Sequence, residues 1–174
     1  MNVNVFSTET VAREAASALD KFFSEQKGSE FLFLSSGGSS LEILRHIDVS
    51  NFGPQSTIGV LDERYSQDPS INNLAQLAAT DFFKAAIERG SQFIDTIVRP
   101  GESAEDLATR FENQLKDWKN KTDGTIIASV GIGSDGHTSG IMPYPENRTF
   151  LARHSMILCV GRLHMMHKIR ISIV

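Results

Sequence analysis

Apolar positions in this chain fall into two kinds of pattern, and the two alternate. Short aromatic or β-branched runs read as strands, and longer stretches with apolar residues three or four apart read as helices. Val3, Val5 and Phe6 predict a short first strand. Thr8 offers a cap for a helix carrying Val11, Ala15, Leu19, Phe22 and Phe23 on one face. Phe31-Leu32-Phe33-Leu34 is a compact apolar strand that runs into a Gly/Ser loop at 35–40 and a short helical stretch at 41–47. Residues 57–61 predict another strand, ending in Asp62-Glu63-Arg64-Tyr65. Leu74, Leu77, Ala78, Phe82 and Ala85 predict one helix over 72–89, stopped by Gly90. A strand is expected over 93–98, closed by Pro100-Gly101. Ser103-Ala104-Glu105-Asp106 has the form of a capping box with Asp in the acidic position. Leu107, Phe111, Leu115 and Trp118 then mark the buried face of the helix that follows.

Residues 125–130 have the length and β-branched content of a buried strand. Beyond Pro143 the pattern weakens, although 156–160 and 169–174 both read as strands. A chain that stops inside an apolar strand is expected to be truncated at its C-terminus. Strands alternating with helices throughout predict an α/β fold: a doubly wound, mostly parallel sheet with helices on both faces, forming a single domain over 1–174.

Composition narrows the function classes. The chain's 174 residues fit one domain, and 40% hydrophobic content with 11 Phe can fill a core. The 17 basic and 21 acidic residues leave a net charge of −4, with no basic run, which argues against nucleic acid as a general partner. A local basic pocket for a phosphorylated small molecule remains compatible with that balance. Cys159 is the single cysteine, so no internal disulfide is expected and a reducing compartment fits. The first six residues have neither a basic region nor a long apolar core, so no signal peptide is expected. No run reaches the ~18 apolar residues of a membrane span. The expectation is a soluble cytoplasmic protein.

Two stretches carry candidate chemistry. The strand, Gly/Ser loop and helix at 31–47 form an anion site by simple physics, because free backbone N–H groups, a helix N-terminus and small hydroxyls converge. No Gly-Lys-Ser/Thr follows, so a single phosphate fits better than a nucleoside triphosphate. The second stretch is Gly131-Ile132-Gly133-Ser134-Asp135-Gly136-His137-Thr138. It places Asp135 and His137 where a strand ends, at the rim where open α/β sheets bind ligands. Its formal G-x-G-x-x-G match is set aside: the Asp135 carboxylate would repel a pyrophosphate, and no second strand ends in an acid about 20 residues on. His154, Cys159, His164 and His167 match no zinc spacing, so no metal is expected. No G-x-S-x-G elbow is present, so Ser36 and Ser39 are expected to bind ligand rather than attack it. Taken alone, Asp62-Glu63-Arg64 reads as a solvated turn.

Leu34-Ser35-Ser36-Gly37-Gly38-Ser39-Ser40, Asp62-Glu63-Arg64, and Gly131-x-Gly133-x-Asp135-Gly136-His137-Thr138 together resemble the 6-phosphogluconolactonases, whose wider group includes the glucosamine-6-phosphate deaminases. The resemblance implies a doubly wound α/β fold with the site at the C-terminal ends of the strands. It also implies an enzyme that opens 6-phosphoglucono-δ-lactone, a step of the oxidative pentose phosphate route, on a small-molecule sugar phosphate and without metal or cofactor. His137 is implied as the base that takes a proton from water. An imidazole's ordinary pKa near ~6.5 suits neutral pH. Asp135 would orient it or hold substrate hydroxyls, and Asp62 would contact the sugar. Ser36, Gly37, Gly38 and Ser39 would cradle the phosphate, helped by a guanidinium. Arg64 and Arg170 are the two candidates; Arg170 lies in a segment similar to the family's Arg-Ile-Thr.

Two positions favour lactonase over deaminase: Arg64 stands where deaminases have Tyr, and Met142 stands before Pro143 where they place a catalytic Glu. Departures remain. The loop after His137 runs Thr138-Ser139-Gly140-Ile141-Met142-Pro143-Tyr144 where lactonases more often have Ala-Ser-Leu-Phe-Pro-Gly, and Ser39-Ser40 replaces Ser-Thr-Pro. Family members also continue past Val174. The alternatives are an amino-sugar-phosphate isomerase or deaminase, and a non-catalytic sugar-phosphate binder.

Overall fold

The computed structural model describes residues 9–132 and 137–139. Four strands, β1 (Phe31–Ser35), β2 (Ser56–Val60), β3 (Gln92–Phe93) and β4 (Thr125–Ser129), form one sheet in the order β3-β2-β1-β4. All three pairings are parallel. β1 is central, with Leu32 opposite both Thr57 and Ile126, and Phe33 opposite both Ile58 and Ile127. A strand covered on both faces has no polar side, and each residue of β1 is buried.

Side chains alternate across a strand, so Phe31 and Phe33 share one face of β1 and Leu32 shares the other with its register partner Thr57. The Phe31/Phe33 face is covered by α1 (Val11–Glu25) and, beyond α2 (Asn73–Ala78), by α3 (Asp81–Glu88). Phe23 of α1 lies 5.6 Å from Phe31 and 5.1 Å from Phe33, ring centre to ring centre, and Phe82 of α3 lies 6.3 Å from Phe33. Phe52 closes the group from the connection between β1 and β2. The opposite face takes α4 (Ala104–Lys121), whose Trp118 indole N–H donates to the Thr57 hydroxyl at 3.1 Å. Phe23, Phe31, Phe33, Phe52 and Phe111 are fully buried. Burying each contributes about 1.5–3 kcal/mol, a large share of a net stability of roughly 5–15 kcal/mol.

The chain steps from β1 to β2 to β3 in one direction and then returns to the far side of β1 for β4. That reversal makes a topological switch point between β1 and β4, and the loops leaving these two strands open into the crevice there. The Gly/Ser loop and the loop at 131 are those loops.

Several elements differ from the sequence expectation. α1 buries Ala16, Leu19 and Phe23 rather than Ala15, and Val11 is 65% exposed. The stretch 72–89 is two helices, because the Thr80 hydroxyl donates to the Leu77 carbonyl and accepts from the Phe83 amide, ending α2 and capping α3. β3 has two residues; Ile94 still donates to Ile58, but the next carbonyl, Asp95, is taken by the Arg110 and Gln114 side chains of α4. The helix after β1 starts earlier than 41, as a 3₁₀ helix over Gly38–His46. The capping box forms as expected, with Ser103 and Asp106 each accepting the other's backbone N–H. The expected strands at 3–6, 156–160 and 169–174, and the Thr8 cap, lie outside the described residues.

Candidate active site

β1 ends at Ser35 and β4 at Ser129, side by side in register. The next residue, Ser36, binds the two loops together. Its amide and its hydroxyl both donate to the Ser129 carbonyl, at 3.2 and 2.9 Å, and its hydroxyl oxygen accepts from the Gly131 amide at 3.2 Å. The one proton of its hydroxyl is thus committed within the protein and the side chain is buried, while the residue still borders the crevice.

Two glycines follow for different reasons. Gly38 has φ +63°, the left-handed region that costs a side chain roughly 1–2 kcal/mol. Gly37 has an ordinary φ of −80°, but a Cβ there would lie 2.3 Å from the side-chain oxygen of Asn73. The 3₁₀ helix over Gly38–His46 starts at this point, so its free amides and the Ser39 and Ser40 hydroxyls gather at the mouth of the crevice.

The loop after β2 is not a solvated turn. Glu63 is fully buried, and its carboxylate accepts from the amides of Arg64, Asn73 and Leu74 at 2.8, 2.6 and 3.1 Å and from the Thr96 hydroxyl at 2.5 Å. It thereby caps α2 and ties together the chain after β2 and β3. Burial pushes its carboxyl up from the ordinary value, and the hydrogen bonds pull it partly back. With Glu63 held inward, Asp62 and Arg64 on either side face the crevice. Burial also raises the Asp62 carboxyl, opposed by the charges of Arg64 and His137 and by the Asn73 amide at 3.4 Å.

These pieces line one cavity of about 210 Å³. Ser36, Gly37, Gly38, Ser39, Asp62, Arg64 and His137 all border it, as do Ser40, Asn73, Gly131 and Ser139. His137 and Gly38, ninety-nine positions apart in the chain, therefore share a rim. Ser139 is buried and has φ +49°, a strained conformation of the kind that collects at functional sites. Thr138 anchors this segment by donating its hydroxyl to the Gly131 carbonyl at 2.9 Å. A larger groove of about 740 Å³, between 38–49 and 76–85, shares Gly38 and Ser39 but contains none of Asp62, Arg64 and His137, which meet at the smaller cavity. Asp135, Arg170, Met142 and the cluster His154, Cys159, His164 and His167 lie outside the described residues.

Sequence reasoning missed Asn73, Glu63 and Ser139. Asn72 and Asn73 carried a usable signal: a helix needs one capping Asn, and Asn72 fills that role by accepting from the Ala75 amide at 2.8 Å. The second Asn is then surplus to capping. The arrangement as a whole places an imidazole, a carboxylate and a guanidinium around an amide-rich loop. That set can bind a phosphate ester and move a proton beside it. Among the described residues, no helix is long and apolar enough to cross a membrane.

No family model and no curated protein matches the sequence. Solved structures do match. A 6-phosphogluconolactonase from Plasmodium vivax aligns with a TM-score of 0.58 at 17% identity, covering 76% of this chain and 48% of its own. A Neisseria gonorrhoeae protein described as a candidate 6-phosphogluconolactonase aligns with a TM-score of 0.51 at 25% identity, covering 80% of this chain and 59% of its own. The chain thus has the fold of 6-phosphogluconolactonases and spans about half the length of these structures.

Proposed function

We propose that this chain is a hydrolase that opens 6-phosphoglucono-δ-lactone to 6-phosphogluconate. The observation that carries this reading is the convergence of three separated stretches, at 36–40, 62–64 and 137–139, on one cavity at the β1/β4 switch point. The fold shared with solved 6-phosphogluconolactonases supports it.

In this reading the phosphate rests on the Gly37-Gly38-Ser39 loop and pairs with Arg64, whose guanidinium can meet two oxygens at once. Arg170 is the alternative guanidinium for the same group, on the strength of the family resemblance alone. The lactone ring then extends toward His137. The imidazole takes a proton from water as the water oxygen forms a bond to the carbonyl carbon. The tetrahedral intermediate collapses by breaking the bond to the ring oxygen, and the imidazolium returns its proton to that oxygen. Such a base contributes roughly 10²–10⁴-fold. Asp135 is assigned, as in the family the chain resembles, to orienting the imidazole or holding sugar hydroxyls, and Asp62, on the rim of the cavity, accepts from sugar hydroxyls.

The test is turnover. Purified protein should speed the opening of 6-phosphoglucono-δ-lactone well above its spontaneous rate, and glucono-δ-lactone, which lacks the phosphate, should be a far poorer substrate. Equal rates with and without protein would reject the proposal.

A further inference from the structure

We propose that the side-chain carbonyl of Asn73 is the point at which this pocket reads a hydroxyl of its ligand. The inference rests on the sugar-phosphate reading of the cavity and deepens it. Asn73 is 1% exposed, yet it borders the cavity. Its amide nitrogen donates to the Asp62 carbonyl at 2.9 Å and, more weakly, to the Asp62 carboxylate at 3.4 Å. Its backbone N–H donates to Glu63 at 2.6 Å. These bonds fix which end of the amide faces which way. The remaining atom, Oδ1, has no hydrogen-bond partner among the described residues.

A buried amide oxygen without a donor is rare in folded proteins and calls for an explanation. Here the chain has also let the amide press against the backbone of residue 37. A Cβ on residue 37 would sit 2.3 Å from Oδ1 and 2.7 Å from Cγ, although the Gly37 backbone itself is one that any residue can adopt. The second buried side-chain oxygen on this cavity without a partner is the Ser139 hydroxyl.

The chemistry of Oδ1 restricts what it can meet. It is acceptor-only, so it repels the oxygens of a phosphate dianion and attracts an O–H. It therefore divides the pocket: the anion belongs with Gly38, Ser39 and Arg64, and a hydroxyl-bearing carbon belongs on the side lined by Asn73 and Asp62. The class of ligand is a phosphate ester whose chain carries hydroxyls, and a phosphorylated chain without them should be discriminated against. A site built to pair with a substrate hydroxyl rejects the analogue lacking it, because its own polar group is then left unpaired.

The test is a cycle over protein and ligand, read by calorimetry on the full chain. The ligands are 6-phosphogluconate and 6-phosphooxyhexanoate, which has the same carboxylate and phosphate but no chain hydroxyls. Asn73→Ala should weaken 6-phosphogluconate by roughly tenfold while changing the hydroxyl-free probe by less than about twofold. Because Asp62 accepts from sugar hydroxyls in the same reading, the cycle is repeated in an Asp62→Ala background. No further loss of 6-phosphogluconate affinity there would mean that Asn73 only holds Asp62 in place. Equal loss on both probes would mean that it only supports the loop, and loss on neither would mean that Oδ1 contacts nothing. Any of these overturns the inference and leaves the sugar-phosphate reading standing. If Asn73→Ala does not fold, Asp62→Ala decides: equal affinity for the two probes overturns the inference, and a remaining preference for 6-phosphogluconate supports it. A parent that binds neither probe overturns the sugar-phosphate reading itself, and the inference with it.

Discussion

The Ser36 hydroxyl donates to the Ser129 carbonyl at 2.9 Å, one residue beyond the last register pair of β1 and β4. It joins the two strands where their paths diverge, and it orients the Gly131 amide at 3.2 Å as well. The crevice walls are therefore held by a side chain at the place where the backbone ladder stops. Ser36→Ala leaves the partly buried Gly131 amide without that acceptor. It should cost about 1–2 kcal/mol in chemical denaturation and loosen the loop that carries His137. An unchanged denaturation midpoint would show that the contact contributes nothing.

Glu63 is the larger structural commitment. One buried carboxylate accepts three backbone N–H groups and a hydroxyl. Glu63→Gln keeps the volume but turns an NH₂ toward donors, so about 2–4 kcal/mol should be lost at neutral pH. Thermal unfolding measures this, and a variant that melts with the parent would contradict the anchor described above.

Glu102 gives the chain a pH dependence of definite sign. The Arg110 guanidinium meets it at both ends, Nε to Oε1 at 2.7 Å and Nη2 to Oε2 at 2.9 Å, and holds its carboxyl down at about 2 against an ordinary 4.5. A depressed acid favours the folded state above its unfolded value, so this stabilisation is complete above 4.5 and is lost as pH falls toward about 2. Glu102→Gln should cost about 1–2 kcal/mol at pH 7, a figure reduced for solvent screening at a partly open site. Denaturation curves of parent and variant should converge on acidification; a gap that stays constant with pH would contradict the pairing.

Much of this architecture could be read from residue pattern, and the exceptions have local causes. The apolar runs at 31–34, 57–61 and 125–130 became strands because each is short, dense and bounded by polar turns. The Ser103/Asp106 box was legible because both partners lie within one turn of the helix. The break at Thr80 was not, since Ala78, Ala79 and Phe82 preserve helical spacing on either side and only the Thr-Asp pair marks a new cap. The 93–98 strand was overestimated because its carbonyl at Asp95 goes to side chains of α4 rather than to a neighbouring strand. Glu63 and Asn73 escaped notice for one shared reason. A charged or amide side chain reads as a surface residue until its partners, here brought from Thr96 and from the α2 amides, are placed around it.

The central claim is that His137 moves the proton in lactone opening, and steady-state kinetics of His137→Ala tests it most directly. In the proposed reading the loop at 37–39 and Arg64 hold the phosphate, so the variant should bind 6-phosphogluconate nearly as the parent does while kcat on 6-phosphoglucono-δ-lactone falls roughly 10²–10⁴-fold. A His137→Ala protein that opens the lactone as fast as the parent would contradict the account.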